Sequence, residues 1–195
     1  MWDIHDPIEL FRQTFAEAGQ GAPFDATACA LATSTPEGKP SQRFVLLKEV
    51  DVQGRFVFFT NYGSRKAREL LANPCAALCF YWPWTGFQVR IEGGVSRLDD
   101  AASDAYFASR PRASRIGAWA SRQSEELESQ AFFEARLQRF EAEFAGREVE
   151  RPPFWGGFAL QPERIEFWHE GAYRLHQRRV FLRQGEAWES KRLFP

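Results

Sequence analysis

A chain of 195 residues with 44% hydrophobic and 26% charged side chains holds enough apolar material for one packed core, and no break in composition divides it. Its formal net charge of -1 gives no global electrostatic case for nucleic acid or an anionic membrane, and no stretch is long and apolar enough to span a bilayer. Three cysteines (Cys29, Cys75 and Cys79) form no Cys-x-x-Cys pair, and the odd count argues against a secreted disulfide framework. The N-terminus, Met1 to Asp6, lacks a basic region followed by an apolar run, so the expected location is the cytoplasm.

Asp6-Pro7-Ile8-Glu9 predicts a helix start: Asp6 caps, Pro7 fits the first helical position and Glu9 completes a capping box. Ile8, Phe11, Phe15 and Ala18 mark its buried face. The period then changes. Strands are predicted over 28–34, 42–50 and 55–60, separated by turns at Pro36-Glu37-Gly38-Lys39 and Asp51-Val52-Gln53-Gly54. Ser64 opens a short helix, and strands follow at 75–81 and 88–98. A helical insert occupies about 99–145. One helix runs from Asp99 to about Ser109 and stops at Pro111. A longer one over 124–144 buries Leu127, Phe133, Leu137, Phe140 and Phe144. After Pro152-Pro153 the strand pattern returns at 157–160, 165–168, 173–182 and 187–193. Short strands at this spacing predict an antiparallel barrel.

Three places suit anions. Arg174, His176 and Arg178 alternate, and in an extended strand such residues share a face. They line a site for an anionic, aromatic ligand, or they decorate a solvated edge strand. Asn61-Tyr62-Gly63-Ser64-Arg65-Lys66 puts a serine cap and two cations at a helix N-terminus, either a phosphate cradle or an ordinary strand-to-helix turn. Tyr106, Arg110 and Ser114 combine a phenol, a guanidinium and a hydroxyl suited to a phosphate monoester, or else form a cation-rich helix end. With Arg43 and Lys48 these exceed what one small ligand needs. No cluster has metal-ligand spacing, and Gly-x-Ser-x-Gly and Walker motifs are absent. Redox chemistry carried by a bound cofactor fits better than hydrolysis.

Six runs in order resemble the pyridoxamine 5'-phosphate oxidase family: Gln42-Arg43-Phe44-Val45-Leu46-Leu47-Lys48, Phe59-Thr60-Asn61-Tyr62-Gly63-Ser64-Arg65-Lys66, Tyr106-Phe107-Ala108-Ser109-Arg110-Pro111, Ser114-Arg115-Ile116-Gly117-Ala118-Trp119, Phe154-Trp155-Gly156-Gly157-Phe158 and Arg174-Leu175-His176. The resemblance implies a mainly β fold with flanking helices, an FMN-binding split β-barrel spanning 1–195 as a single domain. It also implies a homodimer with FMN at the subunit interface. By position, FMN would contact Arg43, Phe44, Val45, Leu46, Leu47 and Lys48, then Phe59, Thr60, Arg65 and Lys66, then Gln88, Gln123, Ser124, Trp168 and Arg178. The substrate phosphate would sit among Lys48, Tyr106, Arg110 and Ser114, with Arg174 and His176 over the substrate ring as the catalytic pair.

The activity implied is oxidation of pyridoxamine or pyridoxine 5'-phosphate to pyridoxal 5'-phosphate, with O2 reduced to H2O2. Rival readings are a related FMN oxidase of a phenazine-type substrate and a non-catalytic flavin- or pyridoxal-phosphate-binding protein. Three features depart from the family pattern. The chain begins close to its first helix, so the basic arm that covers the site is expected to be short. Phe59 stands where tyrosine is common, and Phe87 where a basic residue often precedes the glutamine.

Overall fold

Asp6 starts the first helix, α1 (Pro7–Gly19), by accepting the Ile8 N–H at 2.8 Å, and Pro7 follows where no N–H donor is needed. The computed structural model describes residues 4–195, so the first three residues of the N-terminal segment considered above lie outside the described residues. Glu9 does not complete a capping box; it accepts from Gln13 Nε2. Phe11 and Ala18 are fully buried, and Ile8 and Phe15 pack at the edge of the same core.

β1 (Ala28–Ser34) pairs with β2 (Pro40–Leu46) as a hairpin. The chain then changes partners. Leu47 N–H donates to Thr27 O, whereas Lys48 N–H donates to Val57 O, and β3 (Glu49–Val50) pairs with β4 (Phe56–Asn61). The strand expected over 42–50 is therefore two. The apolar run Phe44-Val45-Leu46-Leu47 hides the bend between them.

β5 (Cys75–Trp82), β6 (Phe87–Arg97) and β7 (Trp155–His169) complete an antiparallel order β2-β1-β5-β6-β7-β4-β3. β8 (Gln177–Gln184) pairs with the second half of β7, and β9 (Ala187–Leu193) with β8. β2 and β3 stand at opposite ends of this order yet are joined only by Leu47 and Lys48. The sheet must therefore curl until its edges meet. Its interior is filled by Leu31, Phe58, Phe80, Ile91, Phe158, Phe167 and Phe181.

β7 replaces the two strands expected at 157–160 and 165–168. The gap left between them contains Pro162, which sits where the register with β6 shifts, a position that tolerates a missing donor. Gly93 makes that bulge possible. A Cβ there would lie 2.0 Å from the Gln161 carbonyl oxygen, which belongs to backbone and cannot rotate away. We expect Gly93→Ala to lower stability by about 1–3 kcal/mol or more, read as the shift in a denaturant midpoint. An unshifted midpoint would contradict this packing.

The helices flank the sheet. α2 (Arg65–Ala72) covers β1, and α3 (Asp100–Ser109) lies against β7. The insert holds two more helices, α4 (Arg112–Ala120) and α5 (Gln130–Glu143), instead of the one expected over 124–144. α4 follows Pro111 directly and has no side-chain cap, so the usual start signal is missing. Ser124 takes φ 72, which no helix continues through, and Ser129 caps α5 by accepting the Phe132 N–H. Leu127 therefore lies outside the helix and is exposed. Phe140 and Phe144 are buried as expected, in a second core with Phe107, Ile116 and Trp155, against which Phe133 and Leu137 pack. Among the described residues no helix is long and apolar enough to cross a membrane.

Candidate active site

A cleft of about 650 Å³ opens between β2, β4, the N-terminus of α2 and the α3–α4 corner. It gathers Phe44, Val45, Leu46, Lys48, Phe59, Thr60, Lys66 and Gln123 from the expected cofactor set. At the same cleft stand Tyr106, Arg110 and Ser114 from the expected phosphate set. Asn61, from the expected cradle segment, also lines it, as do Gly117, Ser121 and Trp155, which are in neither expected set. Trp155 falls in the run Phe154-Trp155-Gly156-Gly157-Phe158, which carries the family resemblance without assigning it a role.

Local chain chemistry places the phosphate set. Tyr106 and Arg110 lie one helical turn apart at the end of α3. Pro111 then denies Arg110 the helical region, and Arg110 takes φ -74, ψ 149. Ser114 follows in the first turn of α4 rather than in a loop. The Arg110 guanidinium lies over the Trp155 ring at 4.7 Å and over Phe107 at 5.5 Å. The Trp155 and Tyr106 rings are nearly parallel, with an interplanar angle of 4°, and Phe59 stacks on Tyr106 with ring centroids 3.9 Å apart. Arg110 Nη1 is buried without a hydrogen-bond partner. Burial pushes the Arg110 pKa down, which the nearby Tyr106 partly offsets. A half-buried guanidinium in the wall of a cleft, with one donor unused, is suited to an anion.

The second anion place centres on Lys66 at the start of α2. Ser64 accepts the Ala67 N–H as the helix cap. Lys66 Nζ donates to Thr60 Oγ1 at 3.1 Å, Ser64 Oγ at 3.3 Å and Gln123 Oε1 at 3.1 Å, and among the described residues no carboxylate pairs with it. Burial, with the positive charge of Arg43 behind it, lowers its pKa from 10.5 to about 8. Arg65 pairs with Glu69 at 2.9 Å, and Arg43 is held by Leu31 O, Thr33 and Ser41. Neither arginine lines the cleft, and neither does Leu47 or Ser124.

A phosphate held by Lys66 must raise its pKa again, so anion binding takes up a proton above pH 8. We expect the affinity for a phosphorylated ligand to fall as pH rises beyond about 8, by up to about tenfold per unit. Stability of the ligand-free protein moves the other way. The unfolded chain binds more protons at Lys66 between about 8 and 10.5, so the Lys66 contribution to stability rises with pH across that window. Isothermal titration at several pH values reads the first effect, and denaturation curves the second. Equal affinity at pH 7 and 9.5 would show that Lys66 does not face the anion.

The remaining expected residues lie elsewhere in the protomer. Gln88, Trp168 and Arg178 are direct neighbours across β6, β7 and β8. The His176 ring lies 4.5 Å from that of Trp168, and Arg178 donates to Glu166 at 2.8 and 2.9 Å. The strand expected over 173–182 starts only at Gln177. Residues 172–174 form a 3₁₀ turn in which Tyr173 and Arg174 have φ of 57 and 64. Arg174, His176 and Arg178 thus do not alternate along one strand, and none of them lines the cleft. Arg174 is exposed, and the His176 Nδ1 accepts the Gly171 N–H at 3.3 Å.

Comparison with known proteins follows the same division. Residues 17–144 match the family described as pyridoxamine 5'-phosphate oxidase, and residues 155–195 match a pyridoxine 5'-phosphate oxidase C-terminal dimerisation region. A pyridoxine/pyridoxamine 5'-phosphate oxidase of Anaeromyxobacter dehalogenans is 57% identical over 190 residues, covering 97% of this chain and 96% of that one. One from Rhodospirillum rubrum is 53% identical over 194 residues, covering 97% and 96%. Among solved structures, PhzG from Burkholderia lata in complex with tetrahydrophenazine-1-carboxylic acid superposes with a TM-score of 0.92 at 32% identity, covering 99% and 94%. A pyridoxamine 5'-phosphate oxidase-related, FMN binding protein from Nostoc punctiforme, at 22% identity and TM-score 0.76 over 95% and 97%, shares the fold. The curled sheet is a split barrel of this kind.

Proposed function

The chain belongs to the pyridoxine/pyridoxamine 5'-phosphate oxidase family, and from that premise we propose that it oxidises pyridoxamine and pyridoxine 5'-phosphates to pyridoxal 5'-phosphate, with FMN as cofactor and O2 as acceptor. The observation that carries this reading is a single cleft with two separate cations prepared for anions. Among the described residues, one is Arg110, whose Nη1 has no hydrogen-bond partner, and the other is Lys66, which no carboxylate neutralises. Two phosphorylated ligands side by side account for both.

FMN, when bound, supplies the two-electron acceptor and the centre that reacts with O2. The protein's residues bind and orient. Lys66, with Thr60 and Gln123 fixing its ammonium, takes the phosphate end of FMN, and Val45 and Leu46 offer apolar surface beside it. Arg110, Tyr106, Ser114 and Lys48 take the vitamer phosphate, so the substrate is anchored away from its reacting C4' carbon. The match of residues 155–195 to a dimerisation region supports a homodimer. A second copy would then bring Gln88, Trp168, Arg174, His176 and Arg178 to the cleft that the first copy leaves without them. Arg174 would clamp the substrate ring, and His176 would hold or move a proton at its substituents.

The test is anaerobic. FMN-loaded protein is mixed with pyridoxine 5'-phosphate without oxygen, and the flavin absorbance is followed. Bleaching, then recovery with H2O2 on admitting air, is the expected result. A yellow protein that bleaches with neither vitamer would move the function to another aromatic substrate or to binding alone.

A further inference from the structure

Glu69, on the inner side of α2, is a buried carboxylate that the chemistry above does not use; it is 6% exposed. Its Oε2 accepts from Thr33 Oγ1 and Ser41 Oγ, both at 2.5 Å, and its Oε1 accepts from Arg65 Nε at 2.9 Å. Arg43 closes the network. Its Nη1 donates to Thr33 Oγ1 at 2.7 Å and to Leu31 O at 3.0 Å, and its Nη2 donates to Ser41 Oγ at 2.5 Å. Both hydroxyls thus accept from Arg43 and donate to Glu69. Their protons have one consistent arrangement, and Arg43 is linked to Glu69 through two bridges besides the direct 3.5 Å approach.

We propose that Glu69 is the positioning residue of the FMN phosphate site: it holds Arg43 and Arg65, which stand behind the cleft lining in the free protein, in place beside Lys66 without itself touching the ligand. The proposal rests on the FMN reading above. Two further observations support it. Three cations against one carboxylate leave two positive charges, the number a phosphate dianion carries. Burial works to raise the Glu69 pKa, but the bonds from Ser41, Thr33 and Arg65 overcome it and hold it at about 2, so the anchor stays ionised wherever the enzyme works.

Positioning and simple charge make opposite forecasts. Replacing the carboxylate with a neutral amide adds net positive charge to the site, and Coulomb attraction alone would tighten FMN. Loss of the anchor instead frees two long side chains that must be reordered on binding. The experiment compares FMN with riboflavin, which has the same ring system and no phosphate, by fluorescence titration of the flavin-free full chain. For Glu69→Gln we expect FMN affinity to fall about 10- to 100-fold and riboflavin affinity to stay within about twofold. FMN bound as tightly or more tightly by the variant overturns the proposal. Equal loss for both ligands also overturns it, because that is a general packing defect. Should Glu69→Gln fail to fold, Ser41→Ala removes one bridge and keeps the carboxylate. A smaller, FMN-only loss is expected there, and unchanged FMN affinity overturns the proposal. A wild-type protein that binds riboflavin as well as FMN would instead overturn the FMN reading itself, which the comparison separates from the role of Glu69.

Discussion

Arg110→Ala should raise the KM for pyridoxine 5'-phosphate at least about 30-fold while FMN affinity stays within about twofold. The magnitude follows from truncating one partner of a buried, hydrogen-bonded charge pair, about 2 kcal/mol or more. Two features make Arg110 the strongest single contributor at that end of the cleft. Its guanidinium is already immobilised on Trp155 with the backbone held extended by Pro111, so little conformational freedom remains to be lost when the phosphate arrives. Its Nη1 has no hydrogen-bond partner among the described residues, so the free protein carries an unmet donor that a bound phosphate would satisfy. A guanidinium that holds a phosphate remote from the reacting carbon would bind it equally in the ground and transition states, so the loss is expected on KM rather than kcat. Arg110→Lys should recover only part of it, because an ammonium neither stacks on Trp155 nor offers two parallel donors. Steady-state kinetics with both vitamers decide the matter. A KM that does not move would remove the phosphate from this corner and favour a substrate without one.

What could be read from the sequence divides along the length scale of the interaction. The Ser64 cap, Lys66 beside it and the Tyr106–Arg110 pair are set by contacts within a turn or two of chain, and they stand where expected. The bend at Leu47 and Lys48 leaves no mark in the local pattern because it depends on barrel closure, a contact between strands far apart in sequence. The α4 helix was missed because Pro111 announces a stop for α3 and equally permits a new start, and no polar cap resolves the ambiguity. The Arg174–His176–Arg178 alternation misled for a different reason. It presumes extended backbone, and two consecutive non-glycine residues with positive φ are rare enough that no spacing rule anticipates them. Glu69 escaped notice because a lone glutamate in a short helix reads as solvated. Only the pairing of α2 with β1 shows where its carboxylate goes.

That same unusual turn sets the second large effect. Replacing Arg174 and His176 together by Ala should lower turnover of both vitamers by about 10²- to 10⁴-fold, the range of a positioned proton-transfer group, while FMN binding persists. The geometry around them argues for a built arrangement rather than a loose loop. Gly171 approaches the chain so closely that a Cβ would lie 2.1 Å from Leu175 O, and its N–H donates to His176 Nδ1. With Nδ1 accepting, the neutral ring carries its proton on Nε2, which becomes the donor available to a ligand. Tyr173 and Arg174 hold left-handed backbone that costs of order 1–3 kcal/mol per residue, strain of the kind that clusters at functional sites. Arg174 is exposed in the protomer, as expected of a side chain that completes a cleft in a second copy. Gly171→Ala tests the turn without touching either side chain. It should reproduce part of the loss in kcat, with FMN affinity unchanged, because displacing the 171–176 segment moves both groups at once. If the double variant turns over at the wild-type rate, the proton is handled elsewhere and neither side chain is catalytic.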